Sequence, residues 1–208
     1  MPDKSKALLA DYLPARTVDS VWDMIRHYQV RFRIARPRKS KLGDYRPPNG
    51  KQGHRISVNS DLNPYAFLIT TLHEFAHLVT WNSYKNRVLP HGMEWKVAFR
   101  EILTPYINSS IFPEEIIVAL RAYMNNPAAS SCTDLNLHRT LRRFDQNATV
   151  LLETLPHGAH FKLQNGMVFE KGKLGRTRYR CQCLTNGKWY FVSAVAEVHQ
   201  LPVQQRLF

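Results

Sequence analysis

Acidic residues and cysteines are both scarce in this chain of 208 residues. It has 16 Asp and Glu against 29 Lys and Arg, which gives a formal net charge of +13. A basic excess of this size favours an anionic partner, such as nucleic acid or an acidic membrane surface. The chain has three cysteines. This small, odd number argues against a disulfide framework and fits a reducing compartment.

Long apolar segments are also missing. No apolar run approaches the roughly 20 residues that a transmembrane helix needs. The polar N-terminus, Met1-Pro2-Asp3-Lys4, lacks the apolar core of a signal peptide. We therefore expect a cytoplasmic protein that does not enter a membrane, and one associated with the nucleoid if it binds DNA.

The most informative segment is an H-E-x-x-H pattern inside an apolar run, at residues 73–77. On a helix, His73 and His77 are four residues apart on the same face, so both imidazoles can bind one metal ion. Glu74 flanks the metal in this pattern, where it can take a proton from a metal-bound water. Asn63 and Pro64 are a favoured capping residue and a favoured first residue, and they predict the start of this helix.

The third metal ligand is the next question, because a zinc ion held by three protein ligands keeps its fourth position open for water. The longer pattern H-E-x-x-H-x-x-G-x-x-H is excluded, since Thr80 and Ser83 stand at its glycine and third histidine. We predict His91, which follows a polar loop, as the third ligand. Glu94 and Glu101 remain alternatives of the kind that a His₂Glu site uses.

The motifs H-E-F-A-H and H-G-x-E-W-K resemble those of the SprT-like family, which includes the Spartan proteases that cleave proteins crosslinked to DNA. Segments 41–45, 55–59, 132–135 and 141–144 fit the same family, so the resemblance covers about residues 17 to 145. It implies an α+β zincin-like metallopeptidase with Zn²⁺ as cofactor and protein substrates attached to DNA. The implied ligands are His73, His77 and His91, and the implied catalytic residue is Glu74. Many members also have a four-cysteine zinc ribbon, which this chain cannot form.

Two strands are predicted before the metal-binding helix. Apolar residues alternate with arginine from Val30 to Ile34, and apolar residues alternate again from Ile56 to Val58, with a loop rich in proline and glycine between them. We expect a small antiparallel sheet. Between Arg31 and Arg55 the only acidic residue is Asp44, so this basic segment is either a solvated loop or a phosphate-contacting surface.

The composition changes from helical to strand-forming after Asn147. We therefore predict a metallopeptidase domain at residues 1–146 and a small β-rich accessory module at 147–208. Asn165-Gly166 and Asn186-Gly187 are hairpin signals in this module. A two-residue turn at the second pair would place Leu184 opposite Trp189 and Gln182 opposite Phe191.

Side-chain alternation on this hairpin predicts a mixed basic and aromatic surface. Such a surface suits single-stranded or damaged DNA, because arginines contact phosphates and rings stack on bases. The five residues predicted to bind nucleic acid are Arg176, Arg178, Arg180, Trp189 and Phe191. The alternative is that the two aromatic residues belong to the core and the arginine stems cover them.

The cysteines have no predicted metal role. Cys181 and Cys183 have no second cysteine pair, and Cys132 is expected to be buried or inert in a loop between helices.

The sequence thus predicts a zinc metalloendopeptidase, and the resemblance implies that its substrates are proteins bound or crosslinked to DNA. Two alternatives stay open. One is a nucleic-acid-binding protein with a structural or latent zinc site, and the other is an intracellular zinc peptidase with no nucleic-acid role.

Overall fold

The computed structural model describes residues 4–38, 41–127, 134–146 and 149–202. The chain divides into two compact units, Met1–Gln146 and Asn147–Phe208. In the described residues, the first unit contains helices and a three-stranded sheet, and the second contains a six-stranded sheet. The mixture of helices and sheets agrees with the predicted α+β class. None of the described helices combines the length and the apolar character that a membrane crossing needs.

The first unit has six α-helices in its described residues, and the third of them carries the H-E-x-x-H motif. They are α1 (Lys4–Leu9), α2 (Val18–His27), α3 (Pro64–Tyr84), α4 (Met93–Asn108), α5 (Glu114–Asn125) and α6 (Leu135–Arg142). The side chain of Asn63 caps α3 by accepting a hydrogen bond from the Ala66 backbone N–H at 3.0 Å. It also donates to the Leu141 carbonyl at 2.9 Å and the Asp145 carboxylate at 2.7 Å. The predicted start of the helix is confirmed, and the same residue joins it to the end of α6.

Helix α3 is the central element of the first unit. Thirteen of its 21 residues are buried, so it is enclosed over most of its surface rather than along one stripe. Trp95 and Phe99 of α4 and Phe67 of α3 have no exposed surface and belong to the same core. The motif is therefore mounted on a helix that packing holds rigidly, which is what fixed ligand geometry requires.

The sheet of the first unit is mixed, so the prediction of an antiparallel sheet is wrong. Its strands are β1 (Arg31–Ala35), β2 (Gly43–Arg46) and β3 (Arg55–Asn59), in the order β1-β3-β2. Strand β3 is parallel to β1 and antiparallel to β2. The predicted loop contains β2, which reverses the chain once more and thereby makes the two predicted strands parallel.

The second unit is an antiparallel sheet in the order β4-β9-β5-β6-β7-β8. Its strands are β4 (Val150–Leu151), β5 (His160–Lys162), β6 (Val168–Glu170), β7 (Arg178–Cys183), β8 (Trp189–Ser193) and β9 (Glu197–Gln200). The core of this unit includes Leu152, Phe161, Phe169 and the buried free thiols of Cys181 and Cys183. Cys132 lies outside the described residues.

The predicted register of the β7–β8 hairpin is wrong by two residues. Gln182 pairs with Trp189, and Arg180 pairs with Phe191. A two-residue type I′ turn needs positive φ at both central residues, whereas of the pair Asn186-Gly187 only the glycine has it, at 69°. The loop is therefore longer and spans residues 184–187. A shift of two residues leaves the side chains of β7 and β8 on their predicted faces.

Candidate metal centre

Three histidines from two segments converge beside the middle of α3. The Nε2 atom of His73 lies 3.2 Å from Nε2 of His77 and 3.1 Å from Nε2 of His91. His73 and His77 are one turn apart on α3, and His91 comes from the loop that leads into α4. The structure thus brings together the three histidines that the sequence selects.

This arrangement can hold a metal ion. Ligand nitrogens of a tetrahedral site with metal–nitrogen bonds of roughly 2.0–2.1 Å lie about 3.3 Å apart, which is close to the observed separations. A neutral imidazole has only one N–H, so three clustered Nε2 atoms cannot all satisfy one another by hydrogen bonds. Within the described residues, the metal-holding group has these three members and includes neither Glu94 nor Glu101.

The environment keeps the three imidazoles neutral, which is the form that binds metals. Burial, together with the neighbouring His77 and His91, holds the pKa of His73 well below its usual range. Burial and the neighbouring His91 lower the pKa of His77 to about 3. Burial also lowers the pKa of His91. The lone pairs at this site are thus free to bind a cation at neutral pH.

Trp95 packs against the three histidines. Its indole has no exposed surface, and its ring centroid lies 4.6 Å from that of His73, 5.4 Å from His77 and 4.7 Å from His91. Phe99 stacks on the indole at 5.1 Å. Trp95 thus belongs to the core of the first unit and also packs against all three imidazoles.

Glu74 is buried next to the three clustered histidines and is covered by strand β2. A Cβ atom on Gly43 would lie 2.8 Å from Cδ and Cγ of Glu74, so only glycine fits at this position without displacing the carboxylate. The backbone N–H of Tyr45 donates a hydrogen bond to the Glu74 carboxylate. Burial, with a smaller contribution from Asp44, raises the pKa of Glu74 to about 8.

Tyr45 also faces the three clustered histidines. Its ring is nearly parallel to that of His77, with centroids 6.4 Å apart, and its hydroxyl lies 3.0 Å from Nδ1 of His54. Sequence reasoning assigned no site role to Gly43 or Tyr45. Both residues lie in segment 41–45, one of the segments that carry the family resemblance, and this was the only sequence signal that pointed to them. Their contact with Glu74 could not be predicted, because it depends on the formation of strand β2.

The predicted nucleic-acid residues lie in the second unit, far along the chain from the metal-binding motif. Arg178, Arg180, Trp189 and Phe191 share one face of the β7–β8 hairpin, which we call the tail face. Trp189 is 51% exposed and Phe191 is 67% exposed, so the alternative that both belong to the core is wrong.

The remaining predicted residue, Arg176, is not on the strand. It precedes β7 in a short loop closed by the bridge between Leu174 and Tyr179. Within the tail face, the Arg180 guanidinium lies 4.3 Å over the Trp189 ring. The structure therefore keeps four of the five predicted residues on one exposed surface.

Comparison of the chain with protein-family models, with curated proteins and with solved structures finds no match.

Proposed function

We propose that this protein is a zinc-dependent endopeptidase. The observation that carries the proposal is the convergence of three histidine Nε2 atoms beside a buried glutamate on the same helix. Three ligands leave a fourth coordination position open, which distinguishes a catalytic site from a closed structural one. A purely structural site would also have no use for Glu74 next to its ligands.

Zinc fits the donor set better than the hard cations do. Imidazole nitrogens suit zinc and its transition-metal neighbours, whereas magnesium and calcium prefer oxygen ligands. A bound zinc ion would act as a Lewis acid toward the scissile carbonyl and lower the pKa of a water molecule beside it. The ligands we propose for it are His73, His77 and His91.

Glu74 is the proposed general base. Its carboxylate accepts the proton of the attacking water and later passes that proton to the leaving amine. The N–H of Tyr45 orients the carboxylate, and Gly43 leaves the room that it occupies. The pKa of Glu74 is about 8 without metal, and it falls when a divalent cation binds nearby, because positive charge favours the ionised form.

We propose further that the protein substrates are bound or crosslinked to DNA. The resemblance of the motifs to the SprT-like family and the net charge of +13 support this partner. The tail face supports it as well, since exposed rings beside arginines suit single-stranded DNA.

The test is a Glu74→Gln variant, which preserves the shape of the side chain but cannot act as a base. Hydrolysis of a denatured protein, measured with and without single-stranded DNA, should fall by at least the roughly 10²–10⁴-fold that a general base contributes. Zinc content and the unfolding midpoint should stay close to wild type, and a matched Glu94→Gln variant should hydrolyse normally.

Equal rates for the Glu74→Gln variant and the wild type would refute the mechanism. A wild-type protein that carries zinc and binds DNA, but cleaves neither free nor DNA-bound protein, would favour the alternative of a structural or latent zinc site.

A further inference from the structure

The face of the three-stranded sheet that points away from α3 is lined with arginines. They surround a concave site of about 510 Å³. Strands β1, β2 and β3 all contribute, as does the segment that follows β1. We call this surface the arginine face, and its members are Arg31, Arg33, Arg36, Arg38, Arg46 and Arg55.

Strand pairing aligns these positive charges. Arg31 lies opposite Arg55, and Arg55 lies opposite Arg46, so three arginines form a row across the sheet. Like charges in directly opposite positions destabilise a sheet. Asp44 is the one carboxylate among the residues that line the site, and it is already engaged by Lys41 at 2.7 Å and Arg46 at 2.9 Å. The arginine face therefore keeps a large positive excess.

Some of these arginines have structural roles. Arg38 donates hydrogen bonds to the Asn59 side chain at 2.8 Å and the Ser57 hydroxyl at 3.0 Å. Arg55 donates to the Pro47 carbonyl at 3.0 Å. Arg38 thereby attaches the β1–β2 connection to β3, and Arg55 attaches the β2–β3 connection to β3. Two of the six guanidiniums thus have structural partners.

Of the remaining four arginines, Arg46 is paired with Asp44, and the other three have no such role in the part of the chain that the structure describes. In the described parts of the chain, the side chains of Arg31, Arg33 and Arg36 form no hydrogen bond and no ion pair. Arg31 and Arg33 are exposed on β1 and point into the site. Natural proteins break a local rule of stability mainly at functional sites, so the unneutralised arginines on this face indicate a ligand that supplies the missing negative charge.

The extent of the arginine face indicates a polymeric anion. Three strands span about 10 Å, and residues two apart on one strand lie about 7 Å apart. Guanidiniums bind phosphate oxygens in a bidentate manner, and one phosphate group engages only a few of them. A charged surface this wide requires several phosphates that are linked together, as they are in a nucleic-acid strand.

We infer that the arginine face binds the phosphate backbone of a nucleic acid, as a site additional to the tail face. The inference depends on the proposed association with nucleic acid and not on the peptidase chemistry. Strand β2 places this site directly behind the metal centre. Gly43 and Tyr45 face Glu74 and His77, whereas Asp44 and Arg46 face the arginine site.

The test compares two charge-matched double variants of the full chain. Arg31→Gln/Arg33→Gln removes two charges from the arginine face, and Arg26→Gln/Arg121→Gln removes two exposed charges from α2 and α5. Binding to a labelled single-stranded oligonucleotide and to a duplex is measured over a series of salt concentrations. Unfolding midpoint and metal content serve as controls for folding.

The slope of log affinity against log salt should fall by about 0.7 per lost contact on the single strand and about 0.9 on the duplex. For Arg31→Gln/Arg33→Gln we therefore expect the slope to fall by roughly 1.4 on the single strand and roughly 1.8 on the duplex. For Arg26→Gln/Arg121→Gln we expect the wild-type slope. If the first variant does not fold, Arg36→Gln, which lies outside the strands, should lower the slope by about 0.7 on the single strand.

Three results would overturn the inference. The first is a slope for Arg31→Gln/Arg33→Gln equal to that of the control variant. The second is a wild-type protein that binds neither oligonucleotide, which would also remove DNA from the proposed function. The third is that Arg31→Gln/Arg33→Gln binds both oligonucleotides as well as the wild type does, but binds vesicles that contain phosphatidylserine more weakly than the wild type. Because the experiment measures binding alone, none of these results bears on the hydrolysis by which the peptidase proposal is tested.

Discussion

His91 reaches the metal centre from a backbone conformation that is uncommon for its residue type. Its φ is 59°, in the left-handed region, where histidine and asparagine occur more often than most side chains. The turn is held by the Gly92 N–H, which donates to the Leu89 carbonyl at 2.9 Å. Such strain, of order 1–3 kcal/mol, persists where the surroundings impose it, and it is concentrated at functional sites.

The left-handed backbone of His91 allows a selective test of its role as a ligand. His91→Asn retains a residue that tolerates this conformation but removes the imidazole, so the fold should survive. Zinc affinity should fall by at least about 100-fold, because changes to groups that merely support a ligand already cost about 10–100-fold. Titration with zinc against a competing chelator measures the change. Retained zinc in His91→Asn, combined with lost zinc in Glu94→Gln, would transfer the third ligand to Glu94.

The residues of the metal centre differ in how far the sequence alone could identify them. His73, Glu74 and His77 follow from helical spacing, since all their relations are local to one helix. His91 could be selected only as the next histidine and through the family resemblance, because its approach depends on a turn with positive φ. The contact of Gly43 with Glu74 joins residues 31 positions apart and could not be derived from local pattern.

At the scale of elements, β2 shows why the sheet was the least predictable part of the first unit. The strand reads Gly43-Asp44-Tyr45-Arg46, and glycine and aspartate are both depleted in strands. It forms because β3 offers a free edge on one side and α3 packs against Gly43 and Tyr45. Tertiary contacts thus override the weak strand propensity of this segment. Because β2 reverses the chain between β1 and β3, it also makes these two strands parallel.

The β7–β8 hairpin shows the opposite case, in which local pattern was sufficient for the functional surface. Alternation correctly separates the exposed tail face from the buried thiols of Cys181 and Cys183. The register depended on the conformation of Asn186, which residue identity does not fix. Because the error was an even number of residues, it did not move any side chain to the other face.

The tail face yields a prediction that separates stacking from charge. Phe191 is the more exposed ring, while Arg180 already covers Trp189. Phe191→Ala should weaken single-stranded DNA binding by roughly 1–3 kcal/mol without changing the salt slope, since stacking releases few counterions. Arg178→Gln should instead lower that slope by about 0.7.

The control for this pair is Phe191→Tyr, which keeps the ring and should bind like wild type. Fluorescence anisotropy over a salt series reports both affinity and slope. Wild-type affinity and slope in both test variants would exclude the tail face as a nucleic-acid site and leave the arginine face as the candidate surface.

At the scale of the whole molecule, the buried titratable side chains of the candidate metal centre make the stability of the metal-free protein depend on pH in two opposite ways. The pKa values of His73, His77 and His91 are lowered on folding, so the unfolded chain binds more protons below its histidine pKa of about 6.5. Acidification below that value therefore destabilises the fold. The pKa of Glu74 rises from 4.5 to about 8 on folding, so the folded state binds the extra proton between those values. Stability from this group is lost as the pH rises toward 8.

Metal-free protein should accordingly be most stable near pH 6.5. Between about pH 4.5 and 6.5 three histidines outweigh one carboxyl, so stability rises with pH, and between 6.5 and 8 the carboxyl acts alone and stability falls. Urea midpoints measured in chelator from pH 5 to 9 give the profile. Glu74→Gln removes the titrating carboxyl, so its midpoint should stay level from pH 6.5 to 8 while the loss on the acidic side remains. A decline of equal size in both proteins over that range would mean that groups elsewhere in the chain cause it.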